Sequence, residues 1–441
     1  MKTRVEEISE VKRKINVEID AEEVTKSIDK AYNQLSRKAK VKGFRPGKAP
    51  RKILEQYYGK QVVNDVKSDL IRESFPKVLD ETKLFPLGEP SIEDELINPD
   101  NIFRYAIFME VKPKFEIKNY MGISVDKEVL NISEETVDKS IEKMRKSHAR
   151  LISIEEDRGI IEQDRVIINY EGFWKDKPIK DIKGQEFMVH VGSGNFYKEI
   201  ESGIVGLKKG DEKDIEINFD ENFSDSRLAG KLVNFNIVII DIKEEDLPEL
   251  NDDFAKVLGD DFESLADLRQ KVTEEITLQE EKRIDSELKK RLIGKISDSV
   301  NFELPQILVE SEINYSINSL KEGFSQNGMT MESTGISESK MRQELIKPSE
   351  EKIKEELVLD AIARIEAITV EEKDIGDAFD GLSGRTGSDP ALIRQYYESN
   401  NLMNSFEAQI LAEKTLNHLV KGAIINDVKE IPKETENSER K

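Results

Sequence analysis

Between Ser264 and Ser299, the residues Leu265, Leu268, Val272, Ile276, Ile284, Leu288, Leu292 and Ile296 recur at three- and four-residue steps with one longer gap. This is the period of an amphipathic helix, which at about 1.5 Å per residue spans about 50 Å. Pro305 precedes a second stripe of Val309, Ile313, Ile317, Leu320 and Phe324, and further helices are expected around Glu350–Ile368, Pro390–Tyr397 and Met403–Val420. Residues 247–430, which follow on the Pro248 boundary, are therefore read as helical arms, and the polar tail 431–441 is expected to be disordered. The segment 326–340, rich in Ser, Gly, Met and Thr, reads as a loop or helix junction. Met329, Met331 and Met341 offer either an adaptable apolar surface or ordinary gap filling.

The stretch before Pro248 has a different grammar. Val166, Ile168 and Tyr170 alternate with polar neighbours, as do Phe187, Val189 and Val191, then Ile215, Ile217 and Phe219, then Phe235, Ile237 and Ile239. Gly184, Gly192, Gly194, Gly203, Gly206, Gly210 and Gly230 punctuate these runs, so residues 150–246 are expected to form a small antiparallel sheet domain. The VGSGNF segment at 191–196 has a partial phosphate-loop look. It lacks a third glycine and a βαβ setting, so no nucleotide role is assigned. Trp174, the single tryptophan, falls in a loop-like stretch and receives no role.

The N-terminal part mixes both periods. Ile15, Val17 and Ile19 alternate within a strand at Val11–Ile19. Asp20 and Glu23 have capping-box spacing, and Val24, Ile28, Ala31 and Leu35 place a helix up to Ala39. A second amphipathic stretch carries Val62, Val66, Ile71, Phe75 and Val78 and ends before Pro86, Gly88 and Pro90, and Phe103, Tyr105, Ile107, Met109 and Val111 alternate over another strand. Residues 1–112 thus read as an α+β head with helices on a small antiparallel sheet. A connector, 113–149, follows, with an extended piece around Ile123–Val129 and a helix bearing Val137, Ile141, Met144 and Leu151. His148 lies on that stripe and is read as a partly buried helix residue, since no second His or carboxylate stands beside it at metal-site spacing. The fold class is multidomain α+β, and 441 residues imply about three domains.

Composition limits the chemistry. The absence of cysteine excludes a disulfide framework, thiolate-held metal and thiol catalysis. No metal and no cofactor is expected. No apolar run of signal-peptide type follows Met1, and no uncharged run approaches the roughly 18 residues of a membrane span, so a soluble cytoplasmic protein is expected. Charged residues make up 36% of the chain against an average of about 25%, which implies much surface per residue. The net charge is −22, yet residues 1–60 hold 16 Lys+Arg against 9 Asp+Glu, and residues 36–52 hold eight basic residues and no acidic one. Single-sign clustering of this kind suits a polyanion or an acidic protein surface better than a solvated helix face.

Gly43-Phe44-Arg45-Pro46-Gly47-Lys48-Ala49-Pro50 resembles the GFRxGKxP ribosome-docking signature of the trigger factor family of bacterial chaperones. The order of parts is similar too: an α/β head, a strand-rich middle domain resembling an FK506-binding protein, and a helical C-terminal region. LPELNDDFAK at 247–256 resembles the family's exit from the middle domain, so the likeness covers essentially the whole chain. The resemblance implies ribosome docking through Gly43, Phe44, Arg45, Pro46, Gly47 and Lys48, with Phe44 as an exposed apolar anchor and Arg45 and Lys48 supplying charge to RNA or to an acidic protein patch at the exit tunnel. It also implies a connector that packs with the C-terminal helices, and arms that bind nascent and unfolded polypeptides and keep them open for folding or export. A weak homodimer off the ribosome is implied as well. No membrane and no DNA partner is expected.

The same resemblance implies peptidyl-prolyl cis/trans isomerisation in the middle domain. Such catalysis needs an apolar pocket for a twisted amide and no nucleophile or metal. By position, the family's pocket falls on Tyr170, Phe187, Phe196, Phe223 and Phe235. The chain departs from the family where Ile179-Lys180 replaces Phe followed by an acid, and where Tyr197-Lys198-Glu199-Ile200-Glu201 replaces IPGFE, with Ile200 at the floor aromatic. Fewer aromatics and an added lysine imply weaker activity. Two readings therefore stand within the resemblance, a chaperone with an active isomerase domain and a binding-only holdase whose middle domain only extends the client surface; with the resemblance set aside, a non-chaperone RNA-binding protein with a coiled arm is a third.

Overall fold

The computed structural model describes residues 1–39, 41, 44, 48–94, 97, 102–154, 158–221, 223, 225, 227–259, 262–326 and 337–429. They divide into two compact units, Met1–Val129 with Asp285–Lys441, and Leu130–Ile284. Among the described residues no helix is long and apolar enough to cross a membrane.

In the first unit, β1 (Lys2–Glu7), β2 (Lys12–Ile19), β3 (Ser91–Asp94) and β4 (Phe103–Glu110) form an antiparallel sheet in the order β1-β2-β4-β3. The alternation in β2 and β4 sends Ile15, Val17, Ile19, Phe103, Tyr105 and Ile107 to one face. There they bury with Leu54, Val62, Val66, Leu70 and Val78 beneath α1 (Ala21–Lys38) and α2 (Arg51–Thr82). Each fully buried apolar side chain of this size stabilises the head by about 1.5–3 kcal/mol. A polar pair enters this core, the Ser74 and Tyr105 hydroxyls 2.6 Å apart, so the phenol is not left unsatisfied. The expected Asp20–Glu23 capping box does not form. Asp20 is the N-cap of α1, but its carboxylate takes the Met1 ammonium at 2.7 Å, a charged donor that outcompetes a backbone N–H.

Strand β5 (Ser124–Glu128) closes the first part of this unit. The second unit opens with α3 (Glu134–Ser147), whose Val137 and Ile141 bury with Phe254 and Ala255 of α5 (Asp252–Leu258) and with Leu268 and Val272 of α6 (Leu265–Asp298). Leu151 lies in the next strand, and His148, expected to be partly buried, is the exposed C-cap of α3, its ring edge-on to Phe254. A five-stranded antiparallel sheet follows: β6 (Arg150–Ser153), β7 (Arg165–Trp174), β8 (Lys177–His190), β9 (Glu212–Asn218) and β10 (Leu232–Asp246). The long β10 pairs with β7 on one side and with β9 and β6 on the other, while β8 pairs with β7. The short α4 (Lys198–Gly203) and its C-cap bury Ile200 and Ile204 in the core with Ile168, Leu228, Phe235 and Ile237. Trp174 ends β7 and does not lie in a loop; the Lys175 and Lys231 ammonium groups stand 4.6 and 5.2 Å from its ring.

The later turns of α6 return to the first unit, where Leu288, Leu292 and Ile296 bury with Ile117, Val125, Val358, Ile362 and Leu419. Helices α7 (Gln306–Gln326), α8 (Glu338–Ile365), α9 (Glu372–Thr386), α10 (Pro390–Ser399) and α11 (Met403–Gly422) complete it, and β11 (Ile424–Val428) pairs in parallel with β5. Helix α8 begins twelve residues before the expected start and runs through Pro348. An interior proline costs about 3 kcal/mol, which the burial of Met341, Ile353 and Leu357 against Val309, Ile313 and Ile317 offsets. Met341 therefore fills a core gap and does not line an adaptable surface; Met329 and Met331 lie outside the described residues, as does the tail 431–441.

Candidate functional site

Strands β7, β8 and β10, the segment before α4 and the segment after β9 bring seven aromatic rings together. Tyr170 of β7 is the hub: its ring centroid lies 5.6 Å from Phe187 of β8, 5.3 Å from Phe196 and 6.4 Å from Phe235 of β10. Phe187 and Phe196 are 5.0 Å apart, and Phe196 and Tyr197 4.7 Å. Tyr197 reaches Phe235 at 5.3 Å and Phe219 at 5.4 Å, and Phe219 reaches Phe223 at 4.7 Å. Most of these pairs are tilted or edge-to-face, the arrangements that ring quadrupoles favour. All five residues expected from the sequence are in this network.

The network is graded in depth. Phe235 is fully buried, Tyr170, Phe196, Tyr197 and Phe223 pack half-buried against the sheet core, and Phe187 is 39% exposed at the outer edge. Ile200 is sealed in the core beneath them, and Ile179 is half-buried at its margin, whereas Lys180 is exposed. The replacement at Ile200 therefore keeps an apolar floor. Tyr197, at the isoleucine of IPGFE and just before the Lys198-Glu199 that replaces Pro-Gly, contributes a ring of its own.

Two further residues shape the site and were not singled out by the sequence. Phe219 links Tyr197 to Phe223; its alternation with Ile215 and Ile217 marked it only as core. Gly184 stands opposite Tyr170 in the β7–β8 register, and a Cβ there would meet Tyr170 Cε1 at 2.5 Å. The glycine leaves the space that the tyrosine ring occupies. It reads in sequence as one more turn residue, and only the register gives it a partner.

The polar rim is already paired. Arg227 clamps Asp225 through Nε and Nη2 at 2.6–3.1 Å, and these hydrogen bonds hold the Asp225 carboxyl down at about 2. Burial, with Tyr170 and Asp225 nearby, pushes the Tyr197 phenol up, so it is a neutral hydrogen-bond donor at neutral pH. Among the described residues no group of three or more His, Cys, Asp or Glu could hold a metal ion. What the cluster offers is an apolar shelf with an open edge, suited to a flat aliphatic ring.

The basic segment of the head is described in part. Gly43, Arg45, Pro46 and Gly47 lie outside the described residues. Phe44 is 39% exposed, its N–H donating to the Val41 carbonyl at 3.1 Å, and Lys48 is exposed. Arg51 is not free: it lies over the Tyr32 ring at 5.0 Å and pairs with Asp29 at 2.5 Å and Glu55 at 2.8 Å, tying α1 to α2.

Comparison with known proteins adds to this geometry. Residues 1–144 match the family model described as bacterial trigger factor protein, residues 264–421 match the C-terminus model of the same protein, and residues 156–243 match FKBP-type peptidyl-prolyl cis-trans isomerase. The trigger factor of Geotalea uraniireducens is 32% identical over 97% of this chain and 99% of its own length. That of Desulfatibacillum aliphaticivorans is 32% identical over the whole of both chains. A solved structure, described as promiscuous substrate recognition in folding and assembly activities of the trigger factor chaperone, aligns over 96% of this chain and 99% of its own with a TM-score of 0.50 at 22% identity, a likeness of fold.

Proposed function

This chain belongs to the trigger factor family of ribosome-associated chaperones with an FKBP-type peptidyl-prolyl isomerase domain, and on that premise we propose which of its residues do which work. The isomerase site is the aromatic shelf of Tyr170, Phe187, Phe196, Phe223 and Phe235, joined by Tyr197 and Phe219. The observation that carries this assignment is the continuous ring network, with Phe235 fully buried at its base and Phe187 exposed at its edge.

The chemistry asks little of titratable groups. Rotation about a prolyl amide faces a barrier of about 18–20 kcal/mol because resonance keeps the bond planar and charge-separated. The twisted transition state has lost much of that charge separation, so an apolar shelf that strips water from the amide favours it over the planar ground state. A proline ring laid against Tyr170, Phe187 and Phe196 would place its amide in that environment, within reach of a neutral phenol.

Residues 1–112 are assigned as the ribosome-binding domain, docking through Gly43, Phe44, Arg45, Pro46, Gly47 and Lys48. Residues 113–149 form the connector, 150–246 the isomerase domain and 247–430 the helical chaperone domain for nascent chains. The protein works in the cytoplasm, partly on ribosomes, and self-associates weakly away from them. Proline-limited refolding of an unfolded protein tests the isomerase site: Tyr170→Ala and Phe196→Ala should abolish most of the acceleration given by the full chain, and undiminished acceleration by both would overturn the assignment.

A further inference from the structure

The carboxylate of Glu201 is nearly sealed from solvent, 3% exposed, in a six-residue helix that begins directly after Tyr197. A buried charge costs several kcal/mol unless its oxygens are well bonded. Here both oxygens are bonded to the segment just upstream: Oε2 accepts the backbone N–H of Gly194 and Oε1 that of Phe196, each at 2.9 Å. Burial by itself would raise this carboxyl, and the N–H groups of Gly194, Phe196 and Gly192 outweigh that and bring it below its ordinary 4.5.

The segment held in this way has no strand ladder of its own to hold it. Gly192 and Gly194 sit at φ +83° and +71°, and residues 191–197 belong to no helix or strand. Where such a segment rests depends on what its N–H groups donate to. Its last two side chains are Phe196 and Tyr197, and the Phe196 ring touches Tyr170, Phe187 and Tyr197 within 4.7–5.3 Å.

We propose that Glu201 is a positioning residue for prolyl isomerisation: by accepting the N–H groups of Gly194 and Phe196 it holds the Phe196 ring at the spacing from Tyr170 and Phe187 that seats a proline. This rests on the aromatic shelf being the isomerase site. Ring placement to within a fraction of an ångström is what such a shelf requires, and a carboxylate gripping two N–H groups two residues apart supplies it where a short loop alone would not. An amide at 201 keeps the size of the side chain but offers one acceptor for two donors.

The full-length protein, Glu201→Gln, Glu201→Ala and Phe187→Ala are compared in cis-to-trans isomerisation of a short Xaa-Pro peptide, together with thermal unfolding and the backbone amide resonances of Gly194 and Phe196. Expected is a loss of about tenfold in kcat/KM for Glu201→Gln, carried mainly by kcat, with upfield shifts of those two amide protons and an intact unfolding transition. Glu201→Gln, nearly isosteric, carries the test if Glu201→Ala does not fold. Shifted amides with kcat/KM within about twofold of the parent, while Phe187→Ala is impaired, would overturn the role of Glu201 and leave the shelf assignment standing. A fully active Phe187→Ala would overturn the shelf assignment, and the positioning role with it.

Discussion

The ring of Tyr197 lies 5.3 Å from that of Phe235, so the residue at the isoleucine of the family's IPGFE segment reaches the fully buried base of the aromatic shelf. Its ring also bridges Phe196 and Phe219. Tyr197→Phe should keep the shelf and leave isomerisation of a short prolyl peptide within about twofold, because aromatic contact and not acid–base chemistry is at work. Tyr197→Ala removes three ring contacts and should lower kcat/KM by about tenfold or more, each aromatic pair being worth about 0.5–1.5 kcal/mol. Since burial pushes the phenol up from its ordinary 10, the rate should be flat between pH 6 and 9 in both the parent and Tyr197→Phe, read from pH–rate profiles.

Gly184→Ala tests the register of the site. The added Cβ would stand 2.5 Å from Tyr170 Cε1 and 3.0 Å from Cζ, so the ring must swing away from Phe187 and Phe196 or the strands must part. Overpacking of this kind costs about 1–3 kcal/mol. The expected outcome is a lower unfolding temperature of the isomerase domain with a marked loss of catalysis. Tyr170→Ala combined with Gly184→Ala should recover the stability but not the activity.

Periodicity made much of this fold legible. The 3.6-residue stripe of α6 and the two-residue alternation of β2, β4, β7 and β10 each report a face whose apolar residues are buried or half-buried, and a face is what a single sequence displays. Elements stabilised mainly by partners left no such trace. β1 (KTRVEE) is charged almost throughout and is held by pairing with β2, and β11 is recruited by β5, some 300 residues away. α9, which is not among the expected helices, carries Gly376, Gly381 and Gly384, yet Ile375 and Phe379 bury against Phe406, Asp374 accepts the Glu371 N–H, and Gly387 ends the helix at φ +68°. At the site, the ring residues were visible because aromatic side chains in alternating strands are conspicuous. Phe219, Gly184 and Glu201 were not, since their roles depend on cross-strand register, on an absent Cβ and on a backbone that only the fold brings near.

Docking at the head predicts a clean separation of binding from stability. Phe44 is 39% exposed and Lys48 is exposed, so little folding energy rests on either. Replacing Phe44, Arg45 and Lys48 with Ala should abolish co-sedimentation with ribosomes while leaving the unfolding temperature within about 1 °C of the parent. Arg51→Ala should do the reverse in part: it removes the contacts to Tyr32, Asp29 and Glu55 that tie α1 to α2, and should lower stability by about 1 kcal/mol before any effect on docking. Unchanged sedimentation of the triple variant would show that the ribosome is met elsewhere.

Acid should loosen the isomerase domain through two carboxylates, one nearly sealed and one partly buried. For Asp241, burial alone would raise the carboxyl, but hydrogen bonds from Lys209 at 2.8 Å and Ser153 at 2.6 Å outweigh it and leave it below its ordinary value, and Glu201 is lowered by its backbone donors in the same sense. A carboxyl lowered in the folded state contributes stability that is complete above its unfolded pKa and is lost as the pH falls through the folded one. The parent should therefore hold its unfolding free energy from neutrality down to about pH 4.5 and lose it steadily below that. Asp241→Asn should be less stable than the parent at pH 7 and should show a shallower decline in acid, because the amide has no proton left to take up. Denaturant unfolding of the full chain followed by Trp174 fluorescence at successive pH values measures both slopes, and equal slopes would show that Asp241 carries none of the acid sensitivity.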